Sequence, residues 1–207
     1  MNTSSWSIGG ELEALVHPTA IIDSGANVAP GVAVGPYSII GPGVSVGRGT
    51  VLGPHVLLER DTTVGEQCQI AQGAVLGSDP QDLKYEGEAS HLYVGDRTVI
   101  REYATLNRGT RATRKTVVGS DCLIMAYAHV AHDCAIGSYV ILSNSVNMAG
   151  NVVIEEWVII GGLTAIHQFV RIGAHSFCGG GCRIPQDIPP YLRVAGNPAK
   201  LYGLHSV

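Results

Sequence analysis

Two histidines and an aspartate crowd into the stretch AHVAHDC at 128–134: His129, His132 and Asp133. An imidazole beside a carboxylate is standard equipment for a general base, because the carboxylate can orient the ring and raise its basicity. Neutral imidazoles also bind zinc, so the same pair leaves a metal-dependent reaction open. Two solvated surface histidines are the reading that needs no chemistry at all. A second polar group, His167 and Gln168, lies in GGLTAIHQF (161–169), and a third, Gln81, Asp82 and Lys84, in QDLKYEGE (81–88). Five cysteines, Cys68, Cys122, Cys134, Cys178 and Cys182, complete the reactive side chains. They read as small buried thiols, not as nucleophiles and, without a secretory signal, not as a disulfide frame.

Composition narrows the classes. At 207 residues the chain has the length of one domain. Its 45% hydrophobic content excludes a disordered acidic chain, and a net charge of −4 argues against a nucleic-acid partner. A mean hydropathy of +0.21 raises the question of a membrane. The longest uncharged run, 24–47, is broken by six glycines and three prolines, so no integral membrane segment of about 20 apolar residues exists. Residues 1–10 lack the basic and apolar regions of a signal peptide, and a cytoplasmic location follows as the expectation.

The elements that must position these residues are written in a six-residue period. Stepping by six from Val16 to Ile184, 26 of 29 positions hold Val, Ile, Leu, Met or Cys. Four residues after each comes a small or β-branched residue (Val32, Ser38, Val44, Thr50, Cys68, Ala74), suited to a crowded interior. Glycine often follows the aliphatic position (Gly35, Gly41, Gly53, Gly119, Gly137), where a sharp turn of the backbone is expected. Hexapeptide repeats of this kind mark an all-β parallel β-helix, a triangular prism with eighteen residues per coil. The expected division is an extension over 1–15, the helix over 16–188 and a short tail over 189–207. The period fails at Asp82, Glu88 and Ala112, which places extruded loops at 77–93 and 109–116.

On this reading His129, His132 and Asp133 point outward. Eighteen residues beyond His132 is Gly150, and eighteen beyond that is Gln168. A base with a bare backbone N–H one rung away, about 4.8 Å, meets the needs of acyl transfer to a hydroxyl: one group takes the alcohol proton and another holds the oxyanion. The same count places Arg114 and Asp96, not further histidines, on the two coils before His132, which weakens the zinc reading.

QDLKYEGE, IRE with NRGT (100–102 and 107–110), AHVAHDC and GGLTAIHQF, in that order, resemble the UDP-N-acetylglucosamine 3-O-acyltransferases, left-handed hexapeptide-repeat enzymes that open lipid A biosynthesis. The resemblance covers roughly 15–203. It implies a left-handed helix, a homotrimer with clefts between protomers, and transfer of a 3-hydroxyacyl chain from acyl carrier protein to the UDP-sugar, without metal or other cofactor. It also implies roles. His132 would be the base, oriented by Asp133, and the Gly150 N–H would hold the oxyanion. Gln81, Asp82, Lys84, His129, His167, Gln168 and Asn197 would bind substrate, and Gly180 in CGGGC would leave room for the acyl tail.

Three features depart from the family pattern. Asn107 and Asn151 stand where histidines are common, and the chain stops at Val207, where the family continues into a helical domain rich in basic residues. Arg108, Arg111, Arg114 and Lys115 could supply part of that charge toward an acidic carrier protein. Besides the acyltransferase, the residues leave three alternatives: transfer to a related UDP-amino sugar, a non-catalytic trimer that binds sugar nucleotides, and a trimeric β-helix zinc enzyme of carbonic anhydrase type.

Overall fold

The computed structural model describes residues 15–205. It forms a prism walled by three sheets of eleven, nine and eight strands, most of them two residues long. Successive strands occupy the three faces in rotation, and each pairs in parallel with the strand one coil on. Leu15 lies opposite Ala33, Ala33 opposite Val51, and Val51 opposite Gln69. This is the parallel β-helix that the hexads imply, with the left hand that the family resemblance implies. Of the expected 1–15 extension, all but the last residue lies outside the described residues.

Both inward registers are buried. Ile40, Leu52, Leu58 and Ile70 fill the prism, and Ser38, Thr50, Cys68 and Ala74 line its crowded edges. The polar members of the small register satisfy themselves against corner carbonyls: Ser38 and Thr50 hydroxyls donate to Gly53 O and Gly65 O at 2.8 Å, and Cys134 Sγ lies 3.3 Å from Ala149 O. All five cysteines are free and buried. Burial pushes the Cys134 and Cys178 thiols up to about 12, which leaves them protonated and inert.

The glycines after the aliphatic register have a different reason from the one expected. Gly35 and Gly119 are not among the residues with positive φ. A Cβ at either would stand 2.6 Å from the backbone carbon of the glycine one coil on, Gly53 or Gly137. Close approach of stacked coils, not turning, demands glycine there. The left-handed corner conformation falls two residues later and is carried by side-chain-bearing residues such as Tyr37, Asp133 (φ 60°) and Asn151 (φ 61°).

Two coils are longer than the rest. Gln69 pairs with Val99 and Val75 with Thr105, thirty residues apart; Val99 pairs with Leu123 and Thr105 with His129, twenty-four apart. The inserts are therefore twelve and six residues, whole hexads, which is why the period resumes in phase. Strands Val75–Ser78, His91–Val94, Thr105–Asn107 and Lys115–Val118 narrow the extruded parts to 79–90 and 108–114. The shorter insert falls at the corner below His132: the strand before it pairs twenty-four residues on, Thr105 with His129, and the strand after it eighteen, Val117 with Ala135, so a whole turn and not one residue lies under His132. Beyond residue 188 the wall continues. Leu192–Ala195 adds a parallel strand beside Phe177–Cys178, and Lys200–Leu204 closes that sheet by antiparallel pairing.

Candidate active site

His129, His132 and Asp133 sit where a strand of the nine-stranded face, His129–Val130, turns a corner. The three corner positions stack on those of the next coils, so Gly150 lies over His132 and Asn151 over Asp133. Backbone bonds from Asn151 N to His132 O (3.0 Å) and from Phe169 N to Gly150 O (3.3 Å) hold the stack. The His132 ring turns outward and packs against Gly150. A Cβ on Gly150 would come within 2.6 Å of Nε2, so only glycine admits the ring. The Gly150 N–H has no backbone partner among the described residues.

His132 Nδ1 bonds Asp133 Oδ2 at 2.7 Å, and the Asp133 side chain is wholly buried while that of His132 keeps 14% exposure. Four donors converge on the carboxylate. The Thr110 N–H and hydroxyl lie at 3.0 and 2.7 Å, and the Thr113 N–H at 3.1 Å, with its hydroxyl also donating. Burial pushes the Asp133 carboxyl up, but hydrogen bonds from Thr113, Thr110 and His132 outweigh it and hold the group below the usual carboxylate range. An ionised Asp133 favours the tautomer with the His132 proton on Nδ1, which leaves Nε2 as an acceptor. His129 is half-buried, with Nδ1 2.7 Å from Thr105 Oγ1. Burial first, and then the neighbouring His132, lower its proton affinity.

Around this corner opens a cleft of about 710 Å³, lined by Gln81, Asp82 and Lys84 from the first loop together with His129, His132, Gly150 and Gln168. A smaller recess of about 200 Å³ lies beside it, where Asp82, Lys84, His132 and Asn151 meet Thr110 and Arg111. Asp82 receives the Lys84 N–H at 2.9 Å but forms no side-chain ion pair with it, which leaves one acceptor and one cation available to a ligand. Three of the residues singled out from the sequence stand apart. His167 shares the corner, in line with Ala131 and Ala149, but is exposed and outside the lining, its Nδ1 turned to Gln168 O at 3.2 Å. Gly180 stacks on Gly162 at a different edge, and Asn197 is exposed in the turn between the two C-terminal strands.

The structure also separates the two asparagines. Asn151 lines the cleft, whereas Asn107 is buried beneath the first loop, its Nδ2 donating to Asp79 O at 2.9 Å. Arg108, read as part of a solvent-facing basic cluster, is 1% exposed. Its guanidinium bonds Asp79, reaches Tyr85 OH at 3.2 Å and Asp61 at 3.3 Å, and so belongs to the frame. Among the described residues of the single chain no three metal-ligating side chains cluster, and no helix is long and apolar enough to cross a membrane.

A family model for the bacterial transferase hexapeptide (six repeats) matches residues 115–150, the segment that carries the dyad and Gly150. The acyl-[acyl-carrier-protein]--UDP-N-acetylglucosamine O-acyltransferase of Pseudomonas aeruginosa is 49% identical over 188 residues, 90% of this chain and 73% of the relative. The chain belongs to the UDP-N-acetylglucosamine O-acyltransferase family. The family member from Chlorobaculum parvum is 67% identical over 117 residues, 56% of this chain, and the matched region spans only 44% of that relative's length. The solved UDP-N-acetylglucosamine O-acyltransferase of Moraxella catarrhalis superposes with a TM-score of 0.91 at 43% identity, covering 93% of this chain and 75% of the other.

Proposed function

We propose that this chain transfers a 3-hydroxyacyl group from acyl carrier protein to the 3-hydroxyl of UDP-N-acetylglucosamine, the opening reaction of lipid A biosynthesis. The observation that carries the proposal is the His132 ring, tied to a buried carboxylate on one side and laid against the bare Gly150 peptide on the other. In this mechanism Nε2 removes the sugar hydroxyl proton as the oxygen attacks the thioester carbonyl. The Gly150 N–H holds the oxyanion of the tetrahedral intermediate, and Asp133 stabilises the imidazolium. Collapse breaks the carbon–sulfur bond, and the carrier thiolate takes the proton back from His132. Asp82, Lys84 and Gln81 bind the sugar nucleotide, with His129, His167 and Gln168 beside them. Gly180 and Asn197, which lie outside the cleft of one protomer, serve a cleft completed by a neighbour in a homotrimer. The reaction belongs to the cytoplasm, where acyl carrier protein and nucleotide sugars meet.

A second acceptor, the corresponding UDP-3-amino sugar, is favoured by Asn151 in the cleft wall at a position where the family commonly has histidine. The test is product formation from 3-hydroxyacyl carrier protein with each acceptor, wild type beside His132→Ala. Acyl transfer by the wild type and its loss in the variant is the expected result. The preferred acceptor is the one with the higher kcat/KM. A correctly assembled wild type that binds UDP-sugar but acylates neither acceptor would mean a binding protein instead.

A further inference from the structure

The loop that carries Asp82 and Lys84 has little hold of its own on the prism. Every hydrogen bond that ties 79–90 to the rest of the described chain comes from Asn107, Arg108 or Arg111. Asn107 Nδ2 donates to the Asp79 carbonyl, Arg108 bonds the Asp79 carboxylate and the Tyr85 hydroxyl, and the Arg111 N–H donates to Glu88 Oε1 at 2.8 Å. Tyr85 passes the hold inward, its hydroxyl lying 3.2 Å from Asp79 Oδ1. The far side of the same short insert holds the dyad, through the four donors of Thr110 and Thr113 on Asp133. One six-residue turn, 108–113, touches both halves of the site.

Its residue types fit that duty better than they fit a surface turn. A guanidinium with 1% exposure is costly to bury unless carboxylates pair with it. Arg108 has two, Asp61 on the wall and Asp79 on the loop, so its burial is stable only while the loop is docked. On the other side, a carboxylate that accepts four hydrogen bonds is held against rotation, which keeps Oδ2 aimed at His132 Nδ1. Acyl transfer needs the base and the bound hydroxyl in register to a fraction of an ångström.

We infer that the 108–113 turn sets this register: Arg108 positions the loop that binds the acceptor, and Thr110 with Thr113 positions Asp133 behind the base. The inference rests on the acyl-transfer reading for its kinetic consequences but not for its structural one. The two arms should separate. Arg108→Met should raise KM for the UDP-sugar by about tenfold with kcat nearly unchanged, and amides of 79–90 should exchange with solvent roughly tenfold faster. Asp79→Ala, altering an exposed side chain, should do the same and replaces it if Arg108→Met does not fold. The pair Thr110→Val with Thr113→Val should lower kcat by about ten- to a hundredfold at unchanged KM, and the matching pair of serines should restore it.

Unchanged exchange of 79–90 in both loop variants would overturn the assignment of Arg108. A valine pair no slower than the serine pair would overturn that of the threonines. A wild type without acyl transfer would remove the catalytic reading, while the exchange measurement would still decide whether Arg108 holds the loop.

Discussion

Between Leu123 and Cys178 each strand meets its neighbour eighteen residues on, whereas between Thr62 and His129 the spacing is thirty and then twenty-four. The regular coils and the irregular ones place functional groups by different physics. In the regular coils, position is a matter of backbone: Gly150 lies over His132 because the ladder stacks the coils at strand spacing. In the irregular coils no ladder reaches the loop tips, and position depends on a buried guanidinium, two carboxylates and a few hydroxyls. The site lies on the seam between the two modes. On the proposed mechanism it takes its base and oxyanion donor from the ladder and its acceptor-binding groups from the loops.

The comparison is sharpest at His132, which belongs to the wall by its backbone and to the site by its ring. His132→Ala should lower kcat/KM by roughly 10²–10⁴-fold. The melting temperature should stay within a degree or two, since the outward ring fills no part of the core. Unfolding of this variant would show the ring to be structural. Gly150→Ala comes next. Its new Cβ meets the His132 ring and not backbone, so the ring swings away, the fold survives, and kcat falls by about ten- to a hundredfold. The same substitution in the wall should behave in the opposite way. At Gly119 the new Cβ would stand 2.6 Å from the backbone of Gly137 and Ser138, which the ladder holds in place. Gly119→Ala should therefore destabilise the protein by about 2 kcal/mol or more, read as a lower melting temperature, while molecules still folded keep their activity. If Gly119→Ala spared stability and Gly150→Ala lowered it, the division between wall and site would be wrong.

That division governs what could be read from the sequence. The hexads specify the prism because side chains at every sixth position must fill one narrow interior, and a one-residue slip would expose them all. The outward placement of His129, His132 and Asp133 and the stacking of Gly150 follow from the same count. The inserts were visible only as lapses of the period. Because they are twelve and six residues long, they leave the phase intact and hide the change in coil length, and so the count did not show that a whole turn, 108–114, lies below His132. Arg108 itself looked like a solvated cation, since its partners Asp61 and Asp79 stand 47 and 29 residues away in sequence. Thr110 and Thr113 were silent for the same reason. No local pattern announces a hydroxyl aimed at a carboxylate from another coil. Gly35 and Gly119 were recognised as constrained, but for turning, when the constraint is the backbone of the next coil.

The smallest expected effect tests the same seam by pH. The Asp133 carboxyl is held below its ordinary value in the folded chain, because donors from the 108–114 insert outweigh the burial that raises it. The sign follows from linkage. The unfolded chain binds this proton more readily, so the contribution to stability is fully present above the ordinary aspartate value of about 3.9 and is lost as pH falls through the folded one. In a His132→Ala background, where no imidazole titrates against Asp133, urea unfolding midpoints with and without Asp133→Asn should therefore differ by a constant amount from pH 7 to about pH 5 and converge below about pH 4. Other carboxylates titrate in the same window, but they do so in both proteins and cancel from the difference. Because burial opposes the hydrogen bonds, the convergence should be modest. It should also depend on the insert: removal of both threonine hydroxyls by Thr110→Val and Thr113→Val takes away donors that lower the carboxyl. In that background the midpoints should begin to converge at higher pH. A difference between His132→Ala with and without Asp133→Asn that stayed constant down to pH 3 would show that the carboxylate draws no net stability from the turn, and that the irregular coil merely surrounds the dyad instead of holding it.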